Sequence, residues 1–147
     1  MNGAKIYDHI SLEVAQKYLD HGWFDVDLTE ATSITSEAAE LLSKSEENHI
    51  DLCGLTELSL EVAEGLAKYK GELFLRGLLS ISDDVAEALS KHEADLHLDG
   101  LEQISDSVAC SLSKHKGDTE LRGVVELSTR SAEALASSCF SLNLHGL

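Results

Sequence analysis

The residues with the clearest chemical potential are histidines and carboxylates in the second half of the chain. His92, Asp95 and His97 form a His-x-x-Asp-x-His string, and His115 stands further along the chain. Imidazole and carboxylate groups can ligate divalent metals. We favour the alternative, in which His92 and His115 lie at helix ends and His97 lies on a strand. No metal and no other cofactor is therefore predicted.

A second polar set offers acid–base chemistry. Asp51, His97, Asp99 and Glu120 would converge if they shared one face of a sheet, and such groups can transfer protons. Yet the chain has no Gly-x-Ser-x-Gly elbow, no His-Glu-x-x-His motif, no phosphate-binding glycine loop and no Cys-x-x-Cys pair. We therefore expect a protein that is not an enzyme.

These residues belong to a 23-residue tandem repeat, in which His92 and His115 are equivalent. In each clear copy a glycine, a serine, an alanine and two leucines recur at fixed positions. The glycines are Gly54, Gly77, Gly100, Gly123 and Gly146. An earlier copy is longer, because it has an extra residue near 45–49. The first copy keeps Ile10, Val14, Ala15 and Tyr18 but shows no matching strand.

Each repeat combines two hydrophobic periods. Residues 96–100 alternate apolar and polar side chains, which predicts a short half-buried strand. Val108, Ala109 and Leu112 then form the stripe of an amphipathic helix, and Ser105 stands at the N-cap. We expect the glycine after the strand to supply a tight bend or a positive φ. Basic residues are expected to close the helices, namely Lys68, Lys91, His92, Lys114 and His115.

The strand and helix of a single repeat cannot bury their apolar faces alone, whereas stacked copies can. We predict an α/β solenoid of six strand–helix coils whose strands form one parallel sheet. Residues 1–147 are then a single repeat domain. It has an N-terminal capping helix at about 10–21 and repeats at about 25–147.

The pattern resembles the leucine-rich repeats over roughly residues 10–147. It is most similar to the bacterial surface-antigen (BspA-like) class, through the order Ile50, Leu52, Leu55, Leu58, Ser59, Ala63 and Leu66. The usual asparagine ladder is missing, because its position is occupied by Leu55, Leu78, Leu101 and Val124. The chain also lacks the proline of that class. The resemblance implies a scaffold that recognises a protein or peptide through its strand face.

Residues that alternate with the core leucines should point out of the sheet. They form two columns: Asp27, Asp51, Phe74, His97, Glu120 and Asn143; and Thr29, Cys53, Arg76, Asp99, Arg122 and His145. An exposed Phe74 beside Arg76 has the composition of a protein interface. A solvated face with one stray apolar residue is the alternative. The predicted binding surface is Phe74, Arg76, His97, Asp99, Glu120 and Arg122.

The acidic composition limits which kinds of partner the protein can be expected to bind. Eleven cationic against 27 anionic side chains give a net charge of −16, so nucleic acid and anionic membrane are not expected as partners. No transmembrane stretch or signal peptide is visible. Cys53, Cys110 and Cys139 occupy different repeat positions, which implies no disulfide framework or metal cluster. A cytoplasmic location is favoured, although an exported fragment would also fit.

The first and last repeats of the array each have apolar residues on which no further repeat packs. Trp23 and Phe24 follow the first helix, and we expect them to form a hydrophobic lid over the first coil. The alternative is an exposed recognition anchor. At the other end Leu142, Leu144 and Leu147 occupy core columns that no later repeat covers. This predicts either a longer array or self-association as a homodimer, and the alternative is that residues 141–147 fold over the last core leucines. A structural role in an oligomeric or larger protein is the alternative function.

Overall fold

The computed structural model describes residues 3–138 and 142–144, and within them it has six helices and nine short strands. The helices are α1 (Leu12–His21), α2 (Ser36–Leu42), α3 (Leu60–Leu66), α4 (Asp83–Leu89), α5 (Asp106–Leu112) and α6 (Thr129–Ala136). The strands are β1 (Lys5–Ile6), β2 (His9–Ile10), β3 (Val26–Asp27), β4 (Ser33–Ile34), β5 (His49–Asp51), β6 (Glu72–Phe74), β7 (Leu96–His97), β8 (Thr119–Glu120) and β9 (Leu142–Asn143).

Every helix starts after a hydroxyl residue that caps it. In each case the side-chain oxygen accepts a hydrogen bond from the backbone N–H three residues later, which satisfies one free donor of the first turn. The capping residues are Ser11, Thr35, Ser59, Ser82, Ser105 and Ser128. The predicted serine column is therefore confirmed as a set of N-caps.

The helix ends differ from the prediction. α3, α4 and α5 end at Leu66, Leu89 and Leu112, and their last turns contain no basic residue. The chain turns at these points so that it can enter the next strand. The residues expected to close the helices therefore lie in the turns that follow: Lys68, Lys91, His92, Lys114 and His115.

Five strands form one parallel sheet in the order β5-β6-β7-β8-β9. The register pairs equivalent residues of successive repeats, so that Asp51, Phe74, His97, Glu120 and Asn143 lie side by side. The sequence predicted this alignment. A side chain on one strand therefore lies beside the equivalent side chains of its neighbouring strands.

The expectation of one continuous sheet is wrong. β1 pairs with β3, and β2 pairs with β4, in two further two-stranded parallel sheets. The first copy, thought to lack a strand, contributes Lys5–Ile6. β3 and β5 do not pair with each other, and the longer copy, with its extra residue near 45–49, lies between them.

The core lies between the strands and the helices. Its leucine columns are buried except at the half-buried Leu144, and each helix packs on the next along the chain. Two buried polar residues interrupt the apolar columns, Thr119 at a leucine position and Ser131 at a valine position. Among the described residues, none of the helices is long and apolar enough to cross a membrane.

The glycine after each strand is needed for close approach. A Cβ at Gly77 would overlap the carbonyl oxygen of Cys53, and one at Gly100 would overlap that of Arg76. Within the described chain only Gly22 has a positive φ, of 74°. Of the two expected alternatives, the tight bend is confirmed, because Gly54, Gly77, Gly100 and Gly123 lie in turns without a positive φ. Backbone crowding between successive repeats is the further reason for glycine.

Candidate functional site

The six predicted binding residues come together on the five-stranded sheet. Phe74, His97 and Glu120 are neighbours on β6, β7 and β8, and the other three follow two residues later on the same three chain segments. We call the six residues the strand-face cluster: Phe74, Arg76, His97, Asp99, Glu120 and Arg122. Their positions follow directly from the constant period of the repeat.

An aromatic stack crosses the cluster. The rings of Phe74 and His97 are parallel within 13°, with centroids 4.0 Å apart, and His49 meets Phe74 edge-on at 5.4 Å. The guanidinium of Arg76 lies 4.6 Å from the centre of the Phe74 ring, a cation–π distance. Phe74 is therefore half-buried between two imidazoles, and not fully exposed as the sequence predicted.

Two arginines form ion pairs with two carboxylates beside this stack. Arg76 Nε lies 3.2 Å from Asp99 Oδ2, and Arg122 Nη2 lies 2.8 Å from Glu120 Oε1. The backbone N–H of Arg122 also donates to Asp99 Oδ1. The Arg76 and Arg122 side chains are 45% and 48% exposed, against 17% and 21% for Asp99 and Glu120. The guanidinium groups thus face solvent, while the carboxylates that hold them lie below.

His97 links the aromatic stack to the ionic network. Its Nδ1 lies 2.9 Å from Glu120 Oε2, and its Nε2 lies 3.4 Å from Glu72 Oε2. Glu72 and His49 were not among the predicted site residues. The signal for Glu72 was present, because it precedes Phe74 by two residues and period-two alternation places both on one face.

The cluster includes a possible ligand set for a divalent cation. His97, Asp99 and Glu120 each offer one ligand atom, and these atoms lie within 4.8 Å of one another. Arg76 and Arg122 already pair with the two carboxylates, so a metal would have to displace both guanidinium groups. The arrangement is thus better suited to holding arginines in place than to holding a metal.

The His-x-x-Asp-x-His string does not form a shared site. His92 is fully buried, between the rings of Tyr69 and His115, whereas His97 belongs to the strand face. His92 and His115 were expected at helix ends. They instead form a buried stack with Tyr69, and His115 Nδ1 lies 2.9 Å from the hydroxyl of Thr119.

A cleft of about 420 Å³ opens where β3 and β5 separate. Its aromatic wall includes Trp23 and Phe24, whose rings stack at 3.8 Å and are 53% and 70% exposed. The expectation that this pair forms a buried lid is therefore wrong. We call this feature the N-terminal cleft; its lining is Ala4, Tyr18, Trp23, Phe24, Val26, Asp27, Leu28, Thr29, His49 and Asp51.

Cys53, the cysteine of the strand face, is not a reactive group at neutral pH. Burial raises the pKa of the Cys53 thiol to about 11, and the hydrogen bond with Asp51 acts in the same direction. The thiol is consequently protonated at neutral pH, whereas nucleophilic cysteines are thiolates. Cys110 is exposed on α5, and Cys139 lies outside the described residues.

The predicted self-association edge is described only in part. Leu144 is half-buried against the core after β9. Leu147 and the side chain of Leu142 lie outside the described part of the chain. Self-association through this edge stays a prediction.

Comparisons with other proteins assign no family or function to this chain. No protein-family model, no curated protein and no solved structure matches the chain.

Proposed function

We propose that this chain is a non-enzymatic scaffold of leucine-rich-repeat type that binds a protein or peptide through the strand-face cluster. Its architecture in this proposal is a solenoid of six strand–helix coils. The repeated order of strand, capping serine and helix supports this, as does the parallel register that pairs equivalent residues of successive repeats. Repeat arrays of this kind present extended surfaces suited to binding.

The observation that carries the proposal is the mutual ordering of the cluster. Side chains from three neighbouring strands fix one another through one aromatic stack and four close charged contacts. A surface that is ordered before binding loses less conformational entropy when the partner arrives. Aromatic residues and arginine are also the types that dominate binding energy at interfaces.

The outward guanidinium groups define what the face can recognise. About half of each arginine side chain is exposed, while Asp99 and Glu120 hold it from below. Each guanidinium carries five N–H donors in a rigid plane, so those not used internally can reach backbone carbonyls or carboxylates. Phe74 supplies apolar area between them. An extended peptide crossing the strands would meet both kinds of contact.

The test is affinity capture with a paired mutant and a matched control. Wild-type protein, Phe74→Ala/Arg76→Ala and Leu60→Ala/Arg130→Ala would be immobilised, and bound proteins identified by mass spectrometry. The control removes one apolar and one arginine side chain from the helix side. Circular dichroism would establish that all three are folded. Partners lost only from the Phe74/Arg76 variant support the proposal, whereas a variant that retains every partner overturns it.

A further inference from the structure

The N-terminal cleft combines aromatic and anionic walls at one end of the strand face. Trp23 and Phe24 form its exposed aromatic side. Asp27 and Asp51 contribute carboxylates from β3 and β5, the two strands that do not pair. The cleft lies in the longer copy, where β3 and β5 do not pair with each other. It is therefore a local departure from the repeat and not a feature of every unit.

We propose that the N-terminal cleft binds the side chain of a lysine or arginine carried by a basic segment of a protein partner. The inference rests on the proposed function, because it treats the cleft as an anchor point beside the strand-face cluster. It specifies the partner by its charge. Four separate observations support it.

The first observation concerns the carboxylates. Asp27 Oδ1 accepts hydrogen bonds from the backbone N–H and the hydroxyl of Thr29, at 2.9 and 2.6 Å. Asp51 Oδ1 accepts from the backbone N–H of Cys53 at 3.0 Å. Both groups are thus held in fixed orientations through one oxygen. Among the described residues neither forms an ion pair with a lysine or arginine.

The second observation is a difference in the repeat register. Arg76 and Arg122 stand two residues after Phe74 and Glu120 and neutralise carboxylates of the face. The equivalent positions after Asp27 and Asp51 are Thr29 and Cys53, which carry no charge. The repeat therefore supplies cations internally to the strand-face cluster but not to the cleft. A cationic side chain of a partner could form with the cleft carboxylates the ion pairs that Arg76 and Arg122 form on the strand face.

The third observation is the exposed aromatic pair. A cation over a tryptophan face is favourable, and tryptophan is the best of the three aromatic residues for this contact. The neighbouring cluster already shows such a contact, with Arg76 at 4.6 Å from the Phe74 ring centre. Trp23 and Phe24 offer the same chemistry to solvent.

The fourth observation is the long-range field. A net charge of −16 attracts cationic segments and repels acidic ones. Attraction of this kind raises the association rate without selecting a site. The fixed carboxylates and the aromatic wall select the binding site, since the cleft offers a cation both negative charge and the face of an aromatic ring.

Trp23 is the only tryptophan in the chain, so its fluorescence reports directly on the cleft. The probe is an acetylated octapeptide of alternating lysine and glycine, compared with peptides of the same length in which norleucine or glutamate replaces lysine. We expect a saturable change of Trp23 emission with the lysine peptide only. An equal response to norleucine would overturn the inference by showing that the cleft takes an apolar side chain, and the absence of a saturable response would also overturn it.

Matched variants separate local recognition from the general field. Asp27→Asn/Asp51→Asn removes two charges from the cleft and keeps the oxygens that accept from Thr29 and Cys53. Glu64→Gln/Glu87→Gln removes two exposed charges from α3 and α4. The first pair should weaken lysine-peptide binding about tenfold, the second less than about twofold. If both double variants weakened binding of the lysine peptide equally, the loss of affinity would be explained by net charge alone, and the proposed site would be rejected.

The same titration distinguishes this inference from the proposed function. The cleft is rejected if Asp27→Asn/Asp51→Asn binds the lysine peptide as tightly as the wild type. That result would stand even where Phe74→Ala/Arg76→Ala has lost its captured partner. Conversely, the strand-face proposal fails if that variant keeps every partner while the cleft still binds the peptide.

Discussion

The imidazole rings of His92 and His115 are stacked inside the protein, parallel within 3° and 6.1 Å apart. The two residues occupy the same position in successive repeats, and Tyr69 continues the column one repeat earlier at 6.4 Å from His92. All three side chains are buried. Both ring nitrogens of His92 and Nε2 of His115 have no hydrogen-bond partner of good geometry among the described residues. The stack therefore favours neutral imidazoles.

Acidification should destabilise the fold through this stack. Burial lowers the pKa of both histidines, and His115 lowers that of His92 further. Backbone carbonyl groups beside the rings, chiefly those of Ala67 and Ala94, oppose this lowering of the pKa, as does Asp95. The unfolded chain then takes up protons more readily, near its ordinary pKa of 6.5. Stability is fully present above that pH and is lost as the pH falls towards the folded-state pKa values. Thermal melts at about pH 7.5 and about pH 5 should show the lower Tm in acid.

Substitutions assign this pH dependence to the stack. His92→Leu keeps the position apolar and removes one titrating group, so the difference in Tm between the two pH values should shrink. His21→Gln is the matched control, because His21 is exposed on α1. An unchanged pH dependence in His92→Leu, or an equal reduction in His21→Gln, would contradict the role of the buried pair.

The glycine column should not tolerate even a methyl group. Gly77→Ala would place a Cβ against the carbonyl oxygen of Cys53, which belongs to the backbone and cannot rotate away. We expect a loss of about 1–3 kcal/mol in the free energy of unfolding, the usual range for overpacking. Gly3→Ala is the control, since open space surrounds it. Urea unfolding measures both, and equal stability of the two variants would argue against close stacking of the repeats.

Capping and core substitutions should rank in a fixed order. Ser82→Ala removes the acceptor for the backbone N–H of Val85 and should cost about 0.5–2 kcal/mol. Leu98→Ala truncates a fully buried side chain and should cost about 2–5 kcal/mol. Ser107→Ala, at an exposed position of α5, should change little. A reversed order in thermal melts would mean that the strand and helix faces are misassigned.

The elements that the sequence predicted correctly depend on local periodicity. Alternation in residues 96–100 and the stripe of Val108, Ala109 and Leu112 each specify a buried face, and these apolar residues are buried as expected. The N-cap at Ser105 requires only a hydroxyl before a helical stripe. The alignment of the strand-face cluster follows from the constant period, because equal spacing brings equivalent residues into one row.

The features that sequence did not predict depend on three-dimensional packing. The break in pairing between β3 and β5 falls in the longer copy, and an extra residue near 45–49 does not by itself predict where a sheet divides. Histidine is compatible with surface and core, so the burial of His92 had no sequence signal of its own. The exposure of Trp23 likewise depends on what packs beside it.

The last prediction concerns self-association. Ala132 repeats the position of Ala63, Ala86 and Ala109, which are fully buried, yet it is exposed on α6. Among the described helices, α5 packs on α6, and Leu144, which follows β9, is half-buried against the core. An apolar surface of this kind can be covered by a second copy through a two-fold contact. We therefore expect a concentration-dependent dimer.

Light scattering over a range of concentrations tests this expectation. Leu144→Glu should shift the protein to a monomer, because a carboxylate at the contact would lose its hydration without gaining a partner. Leu79→Glu is the control, since Leu79 is an exposed leucine between β6 and α4. A monomer at every concentration would reject the dimer. A dimer that survives Leu144→Glu but dissociates with Leu79→Glu would place the contact at the loop between β6 and α4 and not at the terminal unit.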